Sequence, residues 1–282
     1  MTQVITTVSD LQRISASKKV GAVFTMGALH AGHEQLIKKC RENIGDDALL
    51  VVTIFVNPKQ FNDQNDYAKY PKDLTRDIEI CKQNSVDIVF APEVSEIYPP
   101  NKAVTEIDPG NIADVLEGAS RPGHFVGMAT VVNRLLEITK PEVTCFGEKD
   151  FQQLAIVKNM VSKLNIPTKV IGVPTVRESD GLALSSRNVR LTAKGRELAP
   201  KLFEAMKLVK TKLAENNSLD FSLDFAKQWL AQFPEIELDY LVVTNSQLEK
   251  PTPGLARVLI AAKIGDVRLI DNMECELVAQ NV

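Results

Sequence analysis

Short apolar runs alternate with longer segments whose apolar residues recur at helical spacing. That alternation restricts the fold more than any other property of the sequence. Residues 20–24, 49–55, 87–90, 143–146 and 169–173 are rich in β-branched or aromatic side chains, as buried strands are. Between them lie helix-like segments at 34–43, 74–84, 125–139 and 151–164. Phe125, Met128, Ala129, Val132, Leu135 and Leu136 make one such stripe, which reads as core rather than as a cofactor box. Parallel strands need a crossover helix, so the fold class expected is α/β, a parallel sheet with helices on both faces.

The pattern changes after Pro174. Residues 192–216 and 223–233 read as helices, joined by the polar turn Asn216-Asn217-Ser218. Strand-like runs follow at 237–244, 257–264 and 267–270, interrupted by Pro251-Thr252-Pro253-Gly254 and Gly265-Asp266. Helices followed by a meander predict a smaller C-terminal α+β domain with a lid-like role, so the expected domains are 1–175 and 176–282.

Composition narrows the functional classes. A net charge of −3 over 282 residues gives no basic excess for gripping a nucleic-acid backbone. The longest apolar run, 48–56, is too short to cross a bilayer. No membrane or nucleic-acid partner is expected. Cys40, Cys81, Cys145 and Cys275 lack C-x-x-C spacing. Free thiols in the cytoplasm are the expected state, and no signal peptide is visible.

The candidate chemistry sits where strands turn into helices. Thr25-Met26-Gly27-Ala28-Leu29-His30-Ala31-Gly32-His33 follows the first run and opens a helix. Such a junction offers backbone N–H groups and a positive dipole end to an anion. Imidazoles there can donate to phosphate oxygens. Zinc is the first rival reading, but no further ligand stands at zinc spacing; a purely structural role is the second. Phe146-Gly147-Glu148-Lys149-Asp150-Phe151-Gln152-Gln153 is a similar junction, where Lys149 offers a compact cation and Asp150 is suited to N-capping. Asp180-Gly181-Leu182-Ala183-Leu184-Ser185-Ser186-Arg187-Asn188 puts two hydroxyls and a guanidinium on a loop, which suits a phosphate clamp or an ordinary turn. Ile54 to Phe61 sets Asn57 and Gln60 beside two aromatics, which suits a small polar acid or a plain strand-ending turn.

Taken in this order, TMGALHAGH, IFVNPKQF, Tyr70-Pro71, RPGHF with its ATVV run, FGEKDFQQ and VRESDGLALSSRN are far more specific than any one of them. Over most of its length the chain resembles the pantoate–β-alanine ligase (pantothenate synthetase) family of the HxGH nucleotidyltransferases. The resemblance implies a Rossmann-like domain with a smaller C-terminal domain, usually as a homodimer. It also implies ATP and Mg²⁺ as co-substrate and ion, and pantoate and β-alanine joined through a pantoyl-adenylate with release of AMP and pyrophosphate.

By the same resemblance, Met26, Gly27, Ala28, Leu29, His30, Ala31, Gly32 and His33 line the ATP site. His33 is the expected proton donor and His30 a phosphate ligand. Gly147, Glu148, Lys149, Asp150, Val176, Leu184, Ser185, Ser186 and Arg187 complete the nucleotide site. Gln60 and Gln153 hold pantoate, Gln60 later meeting β-alanine. His124 is a further substrate-site candidate, and Asp77 a candidate carboxylate on the metal side. His30, His33, Lys149 and Arg187 are the expected donors to the charge that develops in catalysis. One departure is Phe24, where the family commonly has proline, which bears on the path of the entering strand. The competing readings are another HxGH nucleotidyltransferase with a different acceptor, and a nucleotide-binding module without turnover.

Overall fold

The computed structural model describes residues 2–61, 67–68 and 70–281. The chain divides into two compact units, 1–147 with 152–174, and 148–151 with 175–282.

The first unit is built on a parallel sheet of β1 (Gln3–Ile5), β2 (Val20–Thr25), β3 (Leu49–Ile54), β4 (Ile88–Phe90), β5 (Val143–Gly147) and β6 (Lys169–Val173). Its spatial order is β1-β4-β3-β2-β5-β6. Side chains alternate across it as the pleat requires. Val20, Val51, Ile88 and Phe90 face a core shared with Leu11 and with helices His124–Thr139 and Phe151–Lys163. Val23, Leu50, Val52 and Val89 face a second core with Ile37, Cys40 and Cys81. Helices therefore cover both faces, as the apolar runs predict. From β2 the chain moves outward through β3 to β4, whereas β5 and β6 lie on the other side of β2. The direction of winding reverses at β2, and in open α/β sheets ligands bind beyond the strand ends at such a point.

β1 and the helix Val8–Ser15 were not expected. Three residues carry too little periodicity to read as a strand, and β1 is fixed by pairing with β4 and by burial of Ile5. Phe24 continues the ladder opposite Thr53 and sets its ring edge-on to Phe146 at 6.1 Å, so the strand runs straight to Thr25. One buried hydroxyl of this sheet, Thr144 Oγ1, has no partner among the described residues. An unsatisfied buried polar group costs about 1–3 kcal/mol. Thr144→Val is expected to raise stability by ~1 kcal/mol, seen as a higher thermal midpoint by about 2–4 °C.

In the second unit helices pack on one face of an antiparallel sheet, β7 (Ile236–Thr244), β8 (Gly254–Ile264) and β9 (Val267–Leu277). Leu202, Ala205, Met206, Val209 and Leu213 form the buried stripe of helix Lys201–Ala214. They meet Val258, Ile260, Ala262 and Ile264 of β8 in one core.

Three expected elements are corrected. The helix expected over 192–216 is two helices, Ala193–Leu198 and Lys201–Ala214, separated at Ala199-Pro200. Proline has no N–H to donate and its ring opposes the carbonyl of the preceding turn. The next helix starts earlier than 223, at Leu219, because the Ser218 hydroxyl accepts from the Phe221 N–H. β9 runs on to Leu277 rather than ending at 270, since Asp271 and Asn272 keep register with β8 and their buried side chains are hydrogen-bonded to Arg177, Glu148 and Lys149. Residues 148–151, expected with the first domain, cluster with the second unit.

Candidate active site

β2 ends at Thr25, whose hydroxyl donates to the Thr53 carbonyl at 2.7 Å and accepts from the Gly27 N–H at 3.2 Å. The next two residues are left-handed, Gly27 at φ +81 and Ala28 at φ +52. A side chain at Gly27 would bring its Cβ within 2.9 Å of Asp77 Oδ2. Asp77 holds this turn: its Oδ2 accepts from the Ala28 N–H at 2.9 Å and its Oδ1 from the Leu29 N–H at 2.8 Å. The residue is 1% exposed, and burial pushes its carboxyl above the ordinary range while the two amide bonds act the other way.

Asp77, expected on the metal side, anchors the histidine loop through both of its oxygens. Asp77→Asn would set an amide N–H against a backbone N–H. The expected result is a loss of about 1–3 kcal/mol of stability, read by denaturant unfolding, with a slower first chemical step.

His30 and His33 then start the helix Ala31–Ile44 by capping each other. His30 is the N-cap, and its Nδ1 accepts from the Gly32 N–H at 3.1 Å. His33 Nδ1 accepts from the His30 N–H at 3.2 Å, a capping box made of two imidazoles. Their ring centroids are 4.1 Å apart. With Nδ1 accepting in both rings, the neutral tautomer carries its proton on Nε2, a donor suited to a phosphate oxygen. The amides of Gly27, Ala28, Leu29, His30 and Gly32 all have acceptors within the protein. These amides of the junction are engaged in holding the loop itself.

After β3, Asn57 caps the short turn Pro58–Gln60. Its Nδ2 donates to Gln60 Oε1 at 3.0 Å and to the Gly127 carbonyl at 3.1 Å, while its Oδ1 accepts from the Tyr98 hydroxyl at 2.8 Å. Gln60 Nε2 lies 3.2 Å from Met26 Sδ, which joins the expected pantoate residue to the histidine loop. Helix His124–Thr139 passes so close that a Cβ on Gly127 would sit 2.2 Å from the Lys59 carbonyl oxygen. Arg121 Nη1 is 3.2 Å from His124 Nε2, and guanidinium can only donate, so His124 Nδ1 donates to the Gln60 carbonyl at 2.7 Å. His124, a candidate for the substrate site, holds the Gln60 backbone through Nδ1.

Gln152 is buried and bonded to the backbone of Glu117, Ile112 and Val115, while Gln153 beside it is half-buried. The adjacent glutamines differ in burial as a helix start requires. The histidine loop and the Asn57–Gln60 turn follow the carboxyl ends of β2 and β3, and Gly147 ends β5; the three strands are neighbours in the sheet.

The remaining expected residues lie in the second unit. Glu148, Lys149 and Asp150 form a short 3-10 turn, with Lys149 Nζ 3.4 Å from Asp150 Oδ1. Asn272 Nδ2 donates to the carbonyls of both Glu148 and Lys149 at 2.8 Å. Val176 and Leu184 are brought together, the Leu184 N–H donating to the Val176 carbonyl at 2.9 Å. Ser185 caps the turn Ser186–Arg190, its hydroxyl accepting from the Arg187 N–H at 3.3 Å. One of the two hydroxyls expected at a phosphate thus has a structural bond as well. Among the described residues, no group of three or more His, Cys, Asp or Glu could hold a metal ion, so the zinc reading gains nothing.

Comparison with known proteins agrees with the geometry. The family described as Pantoate-beta-alanine ligase matches residues 3–274. The chain belongs to this family. A pantothenate synthetase of Salinispora arenicola is 46% identical over 281 residues, covering 98% of this chain and 99% of the relative. One from Aquifex aeolicus is 44% identical over 264 residues, covering 92% of each. A pantothenate synthetase crystal structure from Thermus thermophilus superposes with a TM-score of 0.90 at 40% identity, over 97% of this chain and 99% of that one. A Francisella tularensis pantoate-beta-alanine ligase, solved as a complex with beta-gamma ATP and beta-alanine, has a TM-score of 0.79 at 39% identity and covers 97% of each chain. Family membership makes ligase chemistry the reading to pursue, ahead of a nucleotidyltransferase with another acceptor.

Proposed function

We propose that this chain condenses pantoate with β-alanine in two steps at the expense of ATP. A pantoate carboxylate oxygen attacks the α-phosphorus of ATP and pyrophosphate leaves, giving pantoyl-adenylate. The uncharged amine of β-alanine then attacks the acyl carbon, AMP leaves and the amine gives up a proton. The observation that carries this reading is the reciprocal His30–His33 cap at the point where the sheet winding reverses, joined through Met26 to Gln60.

Covalent chemistry asks little of the protein, whose work is holding reactants together and stabilising new negative charge. His30 and His33 would donate from Nε2 to the phosphates, and His33 would supply a proton there. Lys149 and Arg187 are proposed as further phosphate donors. Gly147, Glu148, Asp150, Val176, Leu184, Ser185 and Ser186 are proposed to line the nucleotide, and Gln60 and Gln153 to bind pantoate. Mg²⁺ is proposed to arrive with the phosphates of ATP, as a hard ion that keeps waters and needs only one or two protein carboxylates. When bound it neutralises phosphate charge.

A homodimer in the cytoplasm is the assembly and place that the family resemblance supports. The cysteines are free and buried, in keeping with a reducing compartment. Among the described residues no helix is long and apolar enough to cross a membrane. The test is incubation with ATP, Mg²⁺, pantoate and β-alanine, omitting each in turn. AMP and pantothenate should form only in the complete mixture. A stable nucleotidyl product with pyrophosphate alone would instead favour the other nucleotidyltransferase reading.

A further inference from the structure

Asp271 and Asn272 are consecutive, buried and polar in the middle of β9, where apolar residues would pack more cheaply. Neither belongs to the phosphate-binding motifs. Every polar atom of the Asn272 side chain is used: Nδ2 spans the Glu148 and Lys149 carbonyls at 2.8 Å each, and Oδ1 accepts from Arg257 Nη1 at 2.6 Å. Arg257 also reaches Glu148 Oε2 at 3.4 Å and lies over the Phe151 ring at 4.3 Å from its centroid. Behind Asn272, Asp271 takes a two-pronged pair with Arg177 at 2.5 and 2.9 Å and accepts from the Asn272 N–H at 2.7 Å. Arg177 Nη2 closes the ring on the Asn272 carbonyl at 3.0 Å.

We infer that Asn272 is a positioning residue: its amide, oriented by Arg257, fixes the Glu148–Lys149 turn and so sets where the Lys149 ammonium is delivered. The inference rests on the proposed phosphate role of Lys149. A turn of three residues has no long hydrogen-bond ladder of its own, so two bonds to consecutive carbonyls are its main restraint. A charge that binds a transferring phosphate must be held tightly, since a displacement of about 1 Å costs up to ~10²-fold in rate.

The test is a double-mutant cycle on the full chain, with Asn272→Ala, Lys149→Ala and the double variant. The readout is kcat for pantoate-dependent adenylate formation, with KM for ATP and the thermal midpoint measured beside it. Asn272→Ala should lower kcat by about 10- to 100-fold. In the Lys149→Ala background the same change should cost less than about 2-fold, because the group being positioned is gone. The shift in thermal midpoint caused by Asn272→Ala should be equal in both backgrounds. Asn272→Ser retains one donor and serves as the milder variant where Ala melts below the assay temperature; it should show a smaller loss and the same non-additivity. Additive losses in kcat with an active Lys149 role would overturn the positioning inference alone. Unchanged activity in Lys149→Ala would overturn the Lys149 reading itself and the inference with it.

Discussion

Lys149→Ala is expected to slow pantoyl-adenylate formation by about 10²- to 10³-fold, the usual effect of removing one donor aimed at developing charge. Stability should hardly change. The Lys149 side chain is 18% exposed, and its ion-pair partner Asp150 is 51% exposed at 3.4 Å. Pairs of that kind contribute about 0–1 kcal/mol. The turn itself is held through the Lys149 carbonyl, which alanine keeps. A stopped-flow or quenched measurement of the first turnover, set against a melting curve, separates the two effects. An active variant would remove the ammonium from the mechanism, and a variant that unfolds would make its role structural.

The second large effect is expected at His33, where two substitutions divide two roles. His33 Nδ1 accepts from the His30 N–H and completes the cap of Ala31–Ile44, while Nε2 is the proposed phosphate donor. His33→Ala loses both. His33→Asn places a carbonyl oxygen where Nδ1 was, so the cap can persist while the donor beyond it is lost. Both variants should lose about 10²- to 10³-fold in adenylate formation. Only alanine should also lose the cap, about 1 kcal/mol of stability in chemical denaturation. Equal stability losses with little change in rate would leave His33 as a capping residue.

Much of the sheet was legible because a strand buried on both faces must be a nearly continuous apolar run, as 49–54 and 143–147 are. The features that the sequence could not supply are those where a partner distant in sequence decides. Asp77 lies 48 residues from the Leu29 amide it accepts, and nothing near it in sequence distinguishes a loop anchor from a metal ligand. His124 directly follows a glycine at a helix start, just as His33 does. Its partners are Gln60 and Arg121, and only the fold brings the Gln60 carbonyl to it. Gln152 and Gln153 are identical in type and adjacent; the buried one was separable only once the 112–117 backbone was seen against it. Asn272 was missed for a related reason. Its neighbour Asp271 and its own polarity broke the strand pattern, and the arginines that satisfy both come from positions 177 and 257. An unusual polar pair inside an otherwise apolar meander was the available signal.

If pantoate is activated as an acyl-adenylate before β-alanine reacts, the first step must run, and reverse, without the amine. That is measured by the exchange of labelled pyrophosphate into ATP with Mg²⁺ and pantoate present and β-alanine withheld. Exchange should require pantoate and fall by about two orders of magnitude or more in His33→Asn and Lys149→Ala. Absence of exchange in the unaltered protein, while the complete mixture still yields pantothenate, would rule out the adenylate route.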